Sequence, residues 1–211
     1  MSAILDLPVA RERHLVDPTY ARLRMTAILD LPEVRARISL LSVEAYDALN
    51  EMGALDKQAE LIRGVIVKKM PKSPLHCKLI KRIFLYLLAF QRGGLVVFTE
   101  RPLRLKDSEP EPDAMIVRGD ESDFDAKHPT TAELVVEVAV SSAALDRENA
   151  SLYAEAGVSE YWIVLPVERQ IEVYRQPENG VYQQKRLYSA GETVVCESVP
   201  GLQATLAECV A

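Results

Sequence analysis

The sequence is most constrained by one almost continuous apolar run with an acid at its centre. Residues 133–140 read Glu-Leu-Val-Val-Glu-Val-Ala-Val, so half of the run is valine. Such a run is typical of a central β-strand that is covered on both faces. An ionised carboxylate in that environment costs free energy unless a partner compensates it. Glu137 is therefore the first candidate functional residue of the chain.

The segments around this strand predict a mixture of helices and strands. Helices are predicted over 42–53, 75–92 and 144–156, from apolar residues at helical spacing, capping serines and terminal glycines. Strands are predicted at 59–62, 65–70, 95–98, 102–105, 114–117, 133–140, 161–165 and 170–174, with short strands at 182–187 and 192–196 and a helical turn at 206–210. The predicted fold class is α/β (α+β), with a mixed central β-sheet that is flanked by helices.

Composition excludes a wholly disordered chain, a collagen and a small protein held together by disulfides. The chain has 211 residues, of which 48% are hydrophobic and 27% charged, as in an ordinary folded domain. No apolar run reaches the roughly 18 residues of a membrane span, so we expect no membrane partner. The three cysteines are far apart in the sequence, which favours reduced thiols and a cytoplasmic location.

The first forty residues contain a near-repeat. Residues 3–8 and 27–32 both read Ala-Ile-Leu-Asp-Leu-Pro. Two copies are too few for a repeat protein, because stacked repeats need at least about three units to bury a core. We expect residues 1–40 to be a leader that is weakly ordered or peripheral, and residues 41–211 to form the main domain.

Charge is distributed unevenly along the chain. The net charge is −6, yet residues 61–99 contain no Asp or Glu and eight Lys or Arg. A local concentration of cations can bind phosphate even when the whole protein is acidic. Either this stretch binds a nucleic-acid backbone or it is the solvated face of a helix. The candidate phosphate contacts are Lys68, Lys69, Lys72, Lys78, Lys81 and Arg82.

Three acids stand at the ends or centres of predicted core elements: Glu60, Asp113 and Glu137. Carboxylates are the ligands that Mg²⁺ prefers, and such an ion activates water for attack on phosphorus. Each acid also has a structural interpretation. Asp113 can be a turn residue, Glu60 a surface acid paired with Lys57 or Arg63, and Glu137 a buried partner of a tyrosine or an arginine.

These acids resemble a known pattern. Pro112-Asp113 before one apolar strand, and Glu137 within a second, resemble the PD-(D/E)XK nuclease superfamily. The stretch 153–162, Tyr-Ala-Glu-Ala-Gly-Val-Ser-Glu-Tyr-Trp, resembles one branch of it, a mostly uncharacterised bacterial family of restriction-endonuclease-like proteins. The similarity extends over about residues 41–210. It implies a restriction-endonuclease-like fold and an endonuclease that hydrolyses DNA phosphodiester bonds with Mg²⁺ (or Mn²⁺).

The resemblance also assigns roles. It implies that Asp113 and Glu137 are metal ligands and that Glu60 is a further catalytic acid. His76 falls where the family often has a histidine at the start of a helix, and it either meets phosphate or is structural. Since two strands of DNA are to be cut, a homodimer is expected.

The sequence departs from the pattern at the lysine. The superfamily has a lysine two residues after the second acid, where this chain has Ala139, and this branch has it on the following helix, where this chain has Asn149. Loss of such a charge typically slows catalysis about a hundredfold or more. The expected enzyme is therefore impaired at Asn149. The alternatives are a catalytically inactive DNA-binding or regulatory paralogue on the same fold, and an interaction module without either activity.

Overall fold

The structure is a computed structural model that describes residues 28–69 and 71–210. The chain divides into two units, residues 1–40 and 41–211. In the first unit, the described residues include the single helical turn α1 (Pro32–Arg35). The first copy of the near-repeat, residues 3–8, lies outside the described residues, so the predicted leader stays a prediction.

The second unit combines helices with a mixed sheet. Its helices are α2 (Val43–Glu51), α3 (Pro74–Leu87), α4 (Ala143–Glu155) and α5 (Leu206–Val210). Its strands are β1 (Ala59–Ile62), β2 (Val65–Lys68), β3 (Leu95–Phe98), β4 (Ala114–Arg118), β5 (Leu134–Val138), β6 (Glu160–Leu165), β7 (Gln170–Glu178), β8 (Val181–Ser189), β9 (Thr193–Val195) and β10 (Gln203–Thr205).

The main sheet has the strand order β3-β4-β5-β6-β7-β8. All of its pairs are antiparallel except β5–β6, which are parallel and joined through α4. A parallel pair needs such a crossover, because the chain must return to the same end of the sheet. The predicted mixed sheet flanked by helices is confirmed. Within the described residues, no helix is both long and apolar enough to cross a membrane.

Strand β5 lies between two hydrophobic layers. Leu134, Val136 and Val138 pack into the layer that includes α3, whereas Val135 packs into the layer that includes α4. Successive side chains of a strand point to opposite faces, which explains why nearly every position of this strand is apolar. Glu137 shares the α4 face with Val135 by this alternation. The predicted central strand is confirmed.

Two connections position the functional residues. Ser73 caps the helix α3, since its hydroxyl accepts from the His76 N–H at 3.2 Å, and Pro74 occupies the first turn. The β1–β2 hairpin turns at Arg63 and Gly64, where φ is 52° and 73°. Positive φ at both central residues suits the twist of a two-residue hairpin. The segment 102–105, for which the sequence predicted a strand, lies in none.

Candidate active site

One cavity collects the candidate residues that lie far apart in the sequence. It has a volume of about 200 Å³. Its walls come from the β1–β2 hairpin, the segment leading into α3, the segment before β4, and the stretch from the end of β5 into α4. The predicted residues that line it are Glu60, Lys68, Lys69, Lys72, His76, Asp113, Glu137 and Asn149. We refer to this cavity as the acid pocket.

Asp113 and Glu137 face each other across two neighbouring strands. The β4–β5 register pairs Ala114 with Val136, so the next pair along the ladder is Asp113 and Glu137. The backbone N–H of Asp113 donates to Oε2 of Glu137 at 3.1 Å. The backbone N–H of Val138 in turn donates to Oδ2 of Asp113 at 2.9 Å. These reciprocal hydrogen bonds fix both carboxylates at the same end of the sheet.

Burial shapes the charge of Glu137. Its Oε1 accepts a hydrogen bond from the hydroxyl of Tyr153, on α4, at 2.9 Å. Burial, and then the negative charges of Asp113 and Asp146, raise the pKa of Glu137 well above its usual range. A positive ion in the acid pocket would relieve this repulsion, because it stabilises the ionised form.

Asp113 has the opposite balance. Burial works to raise its pKa, but the hydrogen bond and charge of His76, the N–H of Val138 and the charge of Lys72 together hold the pKa below its usual value. His76 Nε2 lies 2.9 Å from Oδ2 of Asp113. Lys72 Nζ lies 3.5 Å from the other oxygen, Oδ1. The predicted phosphate contacts Lys72 and His76 therefore both reach a predicted metal ligand.

Asp146 is a fourth acid of the pocket that the sequence analysis did not select. It is buried on α4, and its Oδ2 accepts from the Ser142 hydroxyl at 2.6 Å. Burial raises the pKa of Asp146 to about 6 against the effect of the Ser142 hydrogen bond, and the charge of Asp113 adds to the shift. The one sequence signal was its position one helical turn after a capping-type serine, and such acids are usually exposed.

Glu60 lines the pocket but is engaged by its neighbours. Its Oε1 accepts from the backbone N–H of Glu111 at 2.6 Å and lies 3.2 Å from Lys69 Nζ. Lys69 also contacts the carboxylate of Glu111. Burial raises the pKa of Glu60, although the charge of Lys69 opposes this. The predicted pairing of Glu60 with Lys57 or Arg63 is replaced by pairing with Lys69.

No cation on α4 reaches the acid pocket within the described residues. Asn149 lines the pocket, whereas Arg147 points to β7 and donates to Oε1 of Glu172 through Nε at 2.9 Å and Nη2 at 2.6 Å. The cations of the pocket are Lys68, Lys69 and Lys72, and all come from the end of β2 and the segment before α3.

The predicted basic residues divide into two groups. Lys69 and Lys72 are only 17% and 25% exposed and pair with acids. Lys78 and Lys81 are exposed on α3, Lys68 is exposed and pairs with Asp56, and Arg82 donates to the backbone carbonyl of Glu208 at the end of the chain. The exposed Lys68, Lys78 and Lys81 can contact a polyanion, whereas Lys69 and Lys72 compensate the negative charge of the pocket acids.

The donor set of the acid pocket fits a divalent ion through two ligands. Within the described residues, no three His, Cys, Asp or Glu side chains are arranged to hold one metal ion together. Mg²⁺ is usually bound by one or two carboxylates and completes its shell with water and substrate phosphate. Asp113 and Glu137 suit that role, because each carboxylate retains lone pairs beyond its present hydrogen bonds.

Comparison with known proteins identifies the family. The model of the family Uma2, described as "Putative restriction endonuclease", matches residues 43–207. The chain belongs to this family. A crystal structure of a putative nuclease of DUF820 from Anabaena variabilis superposes with a TM-score of 0.65 at 17% identity, covering 77% of this chain and 96% of that one. This likeness shows a shared fold. A search of curated proteins finds no match. The predicted restriction-endonuclease-like family and fold are confirmed.

Proposed function

We propose that this Uma2 protein is a divalent-metal-dependent endonuclease that hydrolyses DNA phosphodiester bonds at the acid pocket. The observation that carries the proposal is the contact between Asp113 and Glu137 in a pocket that also holds Glu60 and the cation Lys72. The acid pocket then holds both the acids that can bind a metal ion and a cation that can bind phosphate. A divalent ion bound there would polarise a phosphoryl oxygen and acidify water.

The residues of the chain have separable tasks in this proposal. Asp113 and Glu137 hold the ion, and the backbone N–H groups of Asp113 and Val138 hold the two carboxylates in place. Tyr153 orients Glu137 from α4. The exposed cations Lys78 and Lys81 on α3, with Lys68 beside the pocket, would contact the DNA backbone, and such contacts make binding weaken as salt rises.

A plasmid-nicking assay tests the proposal. We expect the wild type to relax supercoiled plasmid with Mg²⁺ or Mn²⁺ and to stop in EDTA. Asp113→Asn should slow nicking by about a hundredfold or more, because a neutral amide cannot hold the ion or offset its charge. The variant keeps an oxygen that accepts from the Val138 N–H. The exposed Asp125→Asn is the matched control. Equal nicking by Asp113→Asn would contradict the proposal.

Asn149 favours a second candidate, a catalytically inactive DNA-binding or regulatory paralogue. This side chain faces the acid pocket without a charge. If the second candidate is right, the wild type binds DNA at low salt but does not cut it, and Asn149→Lys gains cleavage. A homodimer and a cytoplasmic location stay predictions from the sequence.

A further inference from the structure

We propose that Lys72 is a catalytic residue, whose ammonium group stabilises the scissile phosphate in the transition state instead of merely docking DNA. This inference rests on the proposed function. The charge pattern of the sequence does not distinguish such a catalytic role from binding of the DNA backbone. Lys72 differs from the exposed lysines of α3 in its burial and in its partners.

The position of Lys72 sets it apart from a docking residue. Its Nζ lies 3.5 Å from Oδ1 of Asp113, and its side chain is 25% exposed, whereas Lys78 and Lys81 lie on the exposed surface of α3. A second contact, with Glu100, holds the ammonium group from the other side. Two carboxylates therefore orient the charge in advance, and an oriented charge stabilises a transition state better than a mobile one.

Lys72 also lies between two cavities. It lines the acid pocket and a neighbouring cavity of about 240 Å³, which Ile80, Lys81 and Phe84 of α3 also line. A DNA strand that passes from one cavity to the other would carry a phosphate past the Lys72 ammonium group. The other half-buried lysine, Lys69, pairs with Glu60 and Glu111 and lines the acid pocket but not this second cavity.

The chemistry needs a cation at this point. Hydrolysis joins a water oxygen to phosphorus and breaks one P–O ester bond. The water gives up one proton, and the leaving alkoxide takes one up, so that an alcohol and a phosphate monoester result. Charge builds up on the phosphoryl and leaving oxygens between these states, and the Lys72 N–H groups can donate to a phosphoryl oxygen there. Asn149, which lines the same pocket from α4, offers no charge.

Kinetics of Lys72→Met test the inference. We expect kcat for plasmid nicking to fall by about a hundredfold or more. DNA affinity, measured by fluorescence anisotropy in Ca²⁺, should fall only a few-fold, with a salt slope smaller by about one. The matched control is Lys127→Met, at an exposed lysine that does not line the acid pocket. A purely docking role would instead raise KM and leave kcat unchanged.

Rescue separates catalysis from a structural role. Asn149→Lys brings an ammonium group into the same pocket from α4, so the double variant Lys72→Met/Asn149→Lys should regain nicking. A merely structural defect at Lys72 would not be repaired from α4. If Lys72→Met nicks like the wild type, the inference is wrong while the proposed function stands. If the wild type is inactive and Asn149→Lys is active, the second candidate function is right, and both the proposed function and the inference are wrong. If neither cuts DNA, the proposed function fails and the inference fails with it.

Discussion

The acid pocket places several carboxylates where burial and mutual repulsion oppose their ionisation. Asp146 is the clearest case, because its pKa is raised to about 6, with burial as the largest cause. A carboxyl whose pKa is higher in the folded than in the unfolded protein favours folding at low pH. This contribution is present below the unfolded value near 4 and is lost as pH rises through about 6.

Asp146→Asn should therefore stabilise the metal-free protein at neutral and alkaline pH. The amide cannot ionise but can still accept the hydrogen bond from the Ser142 hydroxyl. We expect the free energy of unfolding at pH 8 to exceed that of the wild type by up to roughly 3 kcal/mol, and the difference to vanish below pH 4. Urea denaturation at both pH values in EDTA measures it.

The exposed Asp125→Asn serves as the control for Asp146→Asn. It should change the unfolding free energy little at either pH, as is usual for surface substitutions. A gain for Asp146→Asn that is the same at pH 4 and pH 8 would mean that ionisation of Asp146 is not the cause.

The sequence identified some pocket residues and missed others for physical reasons. Glu137 stood out because an acid inside a buried strand is costly wherever the strand lies. Asp146 did not, because its burial arises from packing around α4, which includes the hydrogen bond from the Tyr161 hydroxyl to its own carbonyl. The contact of Lys72 with Asp113 could not be predicted either. Nothing in the basic stretch indicates that this lysine meets an acid 41 residues later in the chain.

At the scale of elements, α4 carries one wall of the acid pocket, and its C-terminal end fixes its position. Gly157 follows the helix with a φ of 70°, its N–H donates to the carbonyl of Ala154 at 3.1 Å, and the N–H of Val158 donates to that of Tyr153 at 3.0 Å. Glycine takes this left-handed conformation without strain, and it is common just after helices. The same turn directs the chain into β6.

Gly157→Ala should destabilise the protein through backbone strain alone. An added Cβ would meet nothing closer than the Thr131 hydroxyl oxygen at 3.9 Å, so no steric clash contributes. We expect a loss of about 1–2 kcal/mol in unfolding free energy. Gly157→Asn is the matched variant, and it should lose less, because Asn visits the left-handed region more readily. Chemical denaturation measures both, and equal stability of Gly157→Ala and wild type would contradict the prediction.

Helices and strands were predicted well where the spacing of the apolar residues agrees with the capping or turn residues at the ends of the element. The helix predicted over 75–92 is α-helical only to Leu87 and then tightens into a 3-10 turn, Leu88–Phe90. Strands β7 and β8 run beyond their predicted ends, because pairing with each other extends them from Gln170 to Ser189. In the segment 102–105, the N–H groups of Leu103 and Arg104 donate instead to the carbonyls of Pro110 and Pro129.

At the scale of the whole molecule, the acid pocket exists only when the domain is folded, since its residues span positions 60 to 153. Local sequence pattern fixes each strand and helix but not which strand ends meet. The prediction that Asp113 and Glu137 come together depended on the family resemblance, and the β4–β5 register supplies the physical reason. Ligands of such a pocket bind the folded chain and not the unfolded one, so binding and global stability are linked.

Divalent ions should consequently raise the melting temperature of the wild type. At a free ion concentration of about 100 times Kd, the added stability is about 2.7 kcal/mol, which corresponds to roughly 5–10 °C for a domain of this size. Glu137→Gln should abolish most of the shift while the exposed Asp125→Asn keeps it. Differential scanning calorimetry with Mg²⁺ or Mn²⁺ against EDTA measures the shift.

The pH dependence of that shift makes the prediction specific to the pocket. Protons compete with the ion for a carboxyl whose pKa is raised, as burial and the charges of Asp113 and Asp146 raise that of Glu137. The metal-induced stabilisation should therefore grow as pH rises from 5 to 8, in parallel with the loss of the proton-linked stability of Asp146. A shift that is independent of pH, or that survives in Glu137→Gln, would place the bound ion elsewhere on the protein, because an ion bound at Glu137 must compete with a proton for this carboxyl.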